Sequence, residues 1–168
     1  MNVPLTHGQV MMQPKLEARL VQSLDIQPQD TVLEIGTGSG YLTALLAKRA
    51  RHVYSVDLYA DFSAEARPKL SRHGIGNVTL ETGDAAQGWA QHGPYDAIAV
   101  TGSLPLFSEV FQRQLKTGGR LFMIVGSSPA MEALLITRLG KEQWLRESLF
   151  ETDIPALVNA PQPPAFTL

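Results

Sequence analysis

The chain has 168 residues, of which 44% are hydrophobic and 18% charged, and a formal net charge of −2. That suits one globular domain with a real core. The sequence has no cysteine, which excludes disulfides, thiolate metal sites and a cysteine nucleophile. It has no basic run to mark a nucleic-acid footprint, no apolar stretch near the ~18 residues of a membrane helix, and no basic-then-apolar start typical of a secretion signal. A cytoplasmic setting without nucleic acid or membrane partners is expected. Residues 1–168 are read as one domain, with 1–14 as an entry segment and 155–168 as a tail.

In chain order, residues 1–14 show no clear period and read as irregular. Leu16, Leu20, Val21 and Leu24 repeat at helical spacing, which predicts a helix over 15–24. Thr31 to Ile35 is short, apolar and bounded by turn residues, the mark of a buried parallel strand. A glycine turn over 36–40 leads into a Leu- and Ala-rich helix over 41–50. His52 to Val56 reads as a strand ending at Asp57. A helix over 60–73 follows, in which Pro68 predicts a kink or a late start. Strands are expected at 77–81, 95–100 and 120–125, with a helix over 106–115 and a turn at 116–119. Residues 134–139 and 144–154 alternate around Gly140-Lys141-Glu142 and predict an antiparallel pair. The proline-rich tail from 155 is expected to lie extended on the surface.

Strands alternating with helices imply right-handed crossovers. The expected fold is α/β and Rossmann-like: a doubly wound, mostly parallel, seven-stranded sheet closed by the antiparallel C-terminal pair. Ligands in such sheets bind beyond the carboxyl ends of the strands.

The chemistry is expected in the loops that follow the first strands. Gly36, Gly38 and Gly40 stand where a strand must turn sharply into a helix, and lacking a Cβ they let the backbone approach a ligand. Asp57 follows Gly36 by 21 positions and ends the next strand, where a carboxylate can accept both hydroxyls of a ribose. A bare turn with a helix cap is the plainer reading. A nicotinamide dinucleotide is the closer rival, but its fingerprint is G-x-G-x-x-G. Here only Ser39 separates Gly38 from Gly40, and Tyr41 stands where the last glycine belongs. Glu34 beside the loop is expected to repel a pyrophosphate and to suit a ligand carrying an ammonium and a sulfonium, namely S-adenosylmethionine. Asp84, after Gly83 and the third strand, can accept from an adenine amine, although aspartate is also common in turns. The histidines at 7, 52, 73 and 92 are scattered, no metal-ligand spacing appears, and no metal is expected.

The run Val32-Leu33-Glu34-Ile35-Gly36-Thr37-Gly38-Ser39-Gly40-Tyr41 resembles the first motif of the protein-L-isoaspartate O-methyltransferases. Asn77-Val78, Gly83-Asp84, Gly88-Trp89, Pro94-Tyr95-Asp96, Gln114-Leu115-Lys116 and Gly118-Gly119-Arg120 match that family in order. The resemblance covers roughly residues 5 to 126. It implies that Glu34, Gly36, Thr37, Gly38, Ser39 and Gly40 hold S-adenosylmethionine, with Asp57 and Leu58 at the ribose and Gly83, Asp84 and Ala85 at the adenine. The implied reaction methylates the free carboxylate of an isoaspartyl residue in a damaged protein, opening a route to repair and releasing S-adenosylhomocysteine. Such a carboxylate has a pKa near ~4 and is already a nucleophile at neutral pH, so the site mainly has to align it and exclude water.

Two departures stand out. The family's G-Q-T-I-S-x-P segment reads Gly8-Gln9-Val10-Met11-Met12-Gln13-Pro14, so two hydroxyls are replaced by apolar groups. The family's V-T-A-A-x-P reads Val100-Thr101-Gly102-Ser103-Leu104-Pro105, which keeps Thr101 and adds the Ser103 hydroxyl. Met12, Thr101 and Ser103 are therefore the candidate substrate-pocket residues, with simple packing the alternative for the methionines. The resemblance also implies about one more N-terminal helical segment in relatives. Its lack is expected to leave apolar surface near Leu5 to Met12, favouring a homodimer or another partner over a monomer. An isoaspartyl methyltransferase is the first reading. A methyltransferase with another acceptor and a non-catalytic cofactor-binding module are the rivals.

Overall fold

The computed structural model describes residues 3–166. The entry segment is more ordered than its lack of period suggests. Val3–Pro4 (β1) pairs antiparallel with Val10–Met11 (β2), and Leu5 N donates to Gln9 O across the turn. Residues 1–2 of that segment and 167–168 of the tail lie outside the described residues. The expected apolar surface is small. Leu5, Val10, Met11 and Met12 are half-buried, and Val3 is the exposed apolar side chain of the segment.

Helix α1 (Pro14–Leu24) begins on its proline, where the missing N–H costs nothing and φ is already helical. It buries Leu16, Leu20, Val21 and Leu24, at about 1.5–3 kcal/mol for each fully buried side chain. Strand β3 (Thr31–Ile35) leads into α2 (Tyr41–Ala47), and β4 (His52–Asp57) into α3 (Ala60–Arg72). Then come β5 (Val78–Thr82), a 3-10 turn at Ala90–His92, β6 (Tyr95–Leu104), α4 (Val110–Arg113), β7 (Leu115–Ser127), β8 (Ala130–Gly140) and β9 (Gln143–Thr152).

The strands form one seven-stranded sheet in the order β5-β4-β3-β6-β7-β8-β9. Pairing is parallel from β5 through β7 and antiparallel across β7-β8 and β8-β9. This is the expected fold. The order reverses at β3, which lies between β4 and β6, and the carboxyl ends of these strands frame a crevice. Alternation along the strands sorts the core. Val32, Val53, Phe122 and Ile124 pack with α1 and α2, while Leu33, Ile35, Ile98, Leu121 and Met123 pack with Phe111 of α4.

Several boundaries differ from expectation. Helix α3 starts at Ala60 and runs through the exposed Pro68, with neither a late start nor a break, because Phe62, Ala66 and Leu70 stay buried on its inner face. The helix expected over 106–115 shrinks to four residues, because Leu115 is drawn into the sheet opposite Tyr95. Residues 116–119, expected as a turn, fall within β7, where the pairing register shifts. The tail is extended and mostly exposed, as expected, but its first residues are tied to the sheet. Ser103 N donates to Pro155 O and Leu157 N to Ser103 O, making a short parallel bridge at Ala156. Residues 155–160 thus cross the carboxyl end of β6 as a strap. Among the described residues no helix is long and apolar enough to cross a membrane.

Candidate active site

The glycine turn is held from two sides. Gly36 adopts φ +100, and a Cβ there would lie 2.1 Å from Thr101 Oγ1, so only glycine allows the contact. The Thr101 hydroxyl donates to Ile35 O at 2.7 Å, with Gly36 O at 3.3 Å. On the other side, Gly38 N donates to Asp57 Oδ2 at 3.1 Å and Tyr59 N donates to Asp57 Oδ1 at 3.0 Å. The Asp57 carboxylate therefore has a fixed orientation at the end of β4, with lone pairs still free toward the crevice.

A crevice open to solvent lies at the carboxyl ends of β3, β4, β5 and β6. Gly36, Gly38, Asp57, Leu58, Gly83, Asp84, Ala85 and Thr101 all line it. A smaller cavity shares Gly36, Gly38 and Thr101 with it and adds Thr37, Ser39 and Met12. Gly40 lines neither; it is the left-handed N-cap of α2. The Asp84 carboxylate accepts from Ala86 N on one oxygen and from the Asn159 side chain on the other, each at 3.0 Å. No histidine lines the crevice among the described residues: His7 stacks against Tyr59 and meets Asp61, and His92 stacks on Tyr54 and meets Glu81.

Two sequence expectations are corrected. Glu34 does not face the crevice as an anion. It shares the strand face of Val32, is fully buried, and accepts hydrogen bonds from Thr43 and Ser55 at 2.5 and 2.6 Å. Burial pushes its carboxyl up to about 8, so it is largely protonated near neutral pH and cannot repel a pyrophosphate from this position. Ser103 is equally unavailable: it is fully buried, and its hydroxyl donates to Ile154 O at 3.1 Å. It anchors the strap.

The structure adds residues that sequence reasoning did not select. Leu5 and Gln9 reach the crevice from the β1-β2 turn, Phe62 from α3, and Pro155, Leu157 and Val158 from the strap. Gly102 allows the strap in, since a Cβ there would meet Leu157 backbone atoms at 2.9 Å. Nothing local in the tail announces that it folds back.

Comparison with known proteins decides among crevices of this type. The family model of protein-L-isoaspartate(D-aspartate) O-methyltransferase matches residues 1–152. The chain belongs to this family. A protein-L-isoaspartate O-methyltransferase of Rhodopseudomonas palustris is 41% identical over 159 residues, covering 94% of this chain and 73% of the relative. One of a Synechococcus species is 38% identical over 162 residues, covering 93% of this chain and 66% of the relative. The chain thus spans about two thirds to three quarters of the length of these family members. Among solved structures, a family enzyme from Plasmodium falciparum, in complex with S-adenosyl-L-homocysteine, superposes with a TM-score of 0.77 at 22% identity, covering 93% of this chain and 79% of that one. A second protein-L-isoaspartate O-methyltransferase also gives 0.77 at 26% identity, covering 92% of this chain and 50% of that one. Family membership thus favours a methyltransferase over the dinucleotide rival, on grounds independent of Glu34.

Proposed function

We propose that the crevice binds S-adenosylmethionine and that the chain transfers its methyl group to the free carboxylate of an isoaspartyl residue in a protein or peptide, releasing S-adenosylhomocysteine. The observation that carries this reading is the Asp57 carboxylate, clamped by Gly38 N and Tyr59 N at the crevice edge in a chain of this family. The residues present fit the cofactor. Gly36 and Gly38 leave backbone exposed at the bend, Asp57 offers its remaining lone pairs to a diol, and Leu58 and Ala85 supply apolar walls beside the acceptor Asp84. Thr37 and Ser39 border the adjoining cavity, Gly83 leaves room for the Trp89 ring, which a Cβ would meet at 2.4 Å, and Gly40 caps the helix that follows the turn.

When bound, the cofactor supplies an electrophilic methyl on a sulfonium. The chain itself positions and excludes water. Leu5, Val10, Phe62 and Leu157 form an apolar surround, and no histidine or lysine lines the crevice among the described residues. A base is not needed, because a carboxylate acceptor is already ionised at neutral pH. Alignment and desolvation carry the rate. The test is transfer of a labelled methyl group to an isoaspartyl peptide, with the aspartyl isomer as control. Transfer to the isoaspartyl peptide alone is expected; equal transfer to both would sink the acceptor assignment.

A second reading has specific support. Val10 and Met12 offer no hydrogen-bonding side chain, and they line a cavity with Met11, Leu16 and Ile154 beside Thr101, whose hydroxyl is already donated to Ile35. Gln13, Thr152 and Asp153 supply the polar groups of this lining, a set that would suit a methyltransferase with another acceptor. Background transfer to the isoaspartyl peptide with cofactor binding intact would favour it. The proposed setting is cytoplasmic, as a monomer or homodimer, and light scattering at high concentration separates those two states.

A further inference from the structure

One buried acid plays no part in the site so far described. Glu17, in the first turns of α1, is 3% exposed. Its Oε2 has no hydrogen-bond partner. It borders the small cavity together with Leu5, Met11, Met12, Thr37, Ser39 and Leu42, and none of the residues lining that cavity is a lysine, arginine or histidine. A buried carboxyl without a partner is costly when ionised, and burial holds this one up at about 7. Its acidic neighbours sharpen the imbalance, since Glu34 on β3 feels charge from both Glu17 and Asp57. A cation is what this pocket lacks.

The small cavity shares Leu5, Val10, Gly36, Gly38 and Thr101 with the main crevice. A ligand whose nucleoside lies against Asp57 and Asp84 can extend an arm past the glycine turn toward Glu17. Resting on the proposed S-adenosylmethionine reading of the crevice, we propose that Glu17 is a specificity-determining residue whose free carboxylate oxygen receives the α-ammonium of the cofactor's amino-acid arm. The apolar walls from Leu5, Met11, Met12 and Leu42 screen the pair from water, which strengthens it. Glu17 thereby selects the amino-acid-bearing nucleoside over one with an uncharged arm. Sequence reading passed over it because only apolar residues were counted on the buried face of α1, which Glu17 shares with Leu20, Val21 and Leu24.

The test is a cycle of two ligands and two proteins, read by isothermal titration on the full chain. The ligands are S-adenosylhomocysteine and its deamino analogue, which keeps the nucleoside, thioether and carboxylate but lacks the ammonium. Wild type is expected to prefer S-adenosylhomocysteine at least tenfold. Glu17→Gln is expected to lose that preference, to bind the analogue within about twofold of wild type, and to melt no lower than wild type because a buried charge is removed. A variant that keeps the full preference overturns the proposal, as does a wild type that binds both ligands equally. Should Glu17→Gln fail to fold, Glu17→Met, which suits a site flanked by Met11 and Met12, serves in its place. Wild type that binds neither ligand sinks the cofactor reading itself, and the Glu17 assignment with it.

Discussion

Asp57 shows how much a single side chain does at this site. Its two oxygens are already engaged by Gly38 N and Tyr59 N, so it ties the glycine turn to the end of β4 before any ligand arrives. Replacing it removes an acceptor for ligand hydroxyls and loosens the turn. Hydrogen bonds to a charged group contribute about 1.5–3 kcal/mol. Asp57→Ala is therefore expected to weaken S-adenosylhomocysteine binding by roughly 10- to 100-fold and to reduce its thermal stabilisation accordingly. An unchanged melting shift would remove Asp57 from the ligand site. The position was legible from spacing alone, because an acid ending the second strand after a glycine turn is a local pattern. The role of Thr101 was only half legible. The sequence offered it as a substrate contact, whereas its hydroxyl is given to Ile35 O, a residue 66 positions away.

Among the elements, α3 and the strap diverge most from their sequence signals. Pro68 removes one backbone donor inside α3, yet the helix continues because Phe62, Ala66 and Leu70 stay packed on its inner face. Tertiary packing here outweighs a local propensity cost of about 3 kcal/mol relative to alanine. Pro68→Ala is expected to stabilise the chain by about 1–3 kcal/mol, partly offset by a freer unfolded state, and to raise the melting temperature by several degrees. A lower melting temperature in a calorimetric scan would show that the ring itself packs usefully. The strap has no comparable local signal. Its proline content disfavours regular structure and so reads as surface, but Ser103 bonds to Pro155 and Leu157, Asp84 accepts from Asn159, and Gly102 leaves room for Leu157.

Across the whole molecule, two buried acids set the response to pH. Glu34 is pushed up to about 8 and Glu17 to about 7, both chiefly by burial, from an ordinary value of 4.5. Between about pH 4.5 and 8 the folded chain thus holds protons that the unfolded chain releases. Their stabilising contribution is full below the unfolded value and is lost as pH rises, at up to about 1.4 kcal/mol per pH unit for each proton. Wild type should therefore lose stability from pH 5 to 8 in denaturant titrations, and Glu34→Gln should lose less. Identical losses in the two proteins would mean that Glu34 is not held protonated by the fold.

What the sequence by itself determined was the alternation of strands and helices, the glycine turn, and the acids at the ends of β4 and β5, because each is written within a few neighbouring residues. Only the tertiary structure decided where Glu34 and Glu17 point, what Thr101 and Ser103 bond to, and that the tail returns to the crevice. Those outcomes depend on which strand face a residue occupies and on partners as far apart as Asn159 and Asp84, 75 positions in sequence, and no local pattern encodes such a meeting.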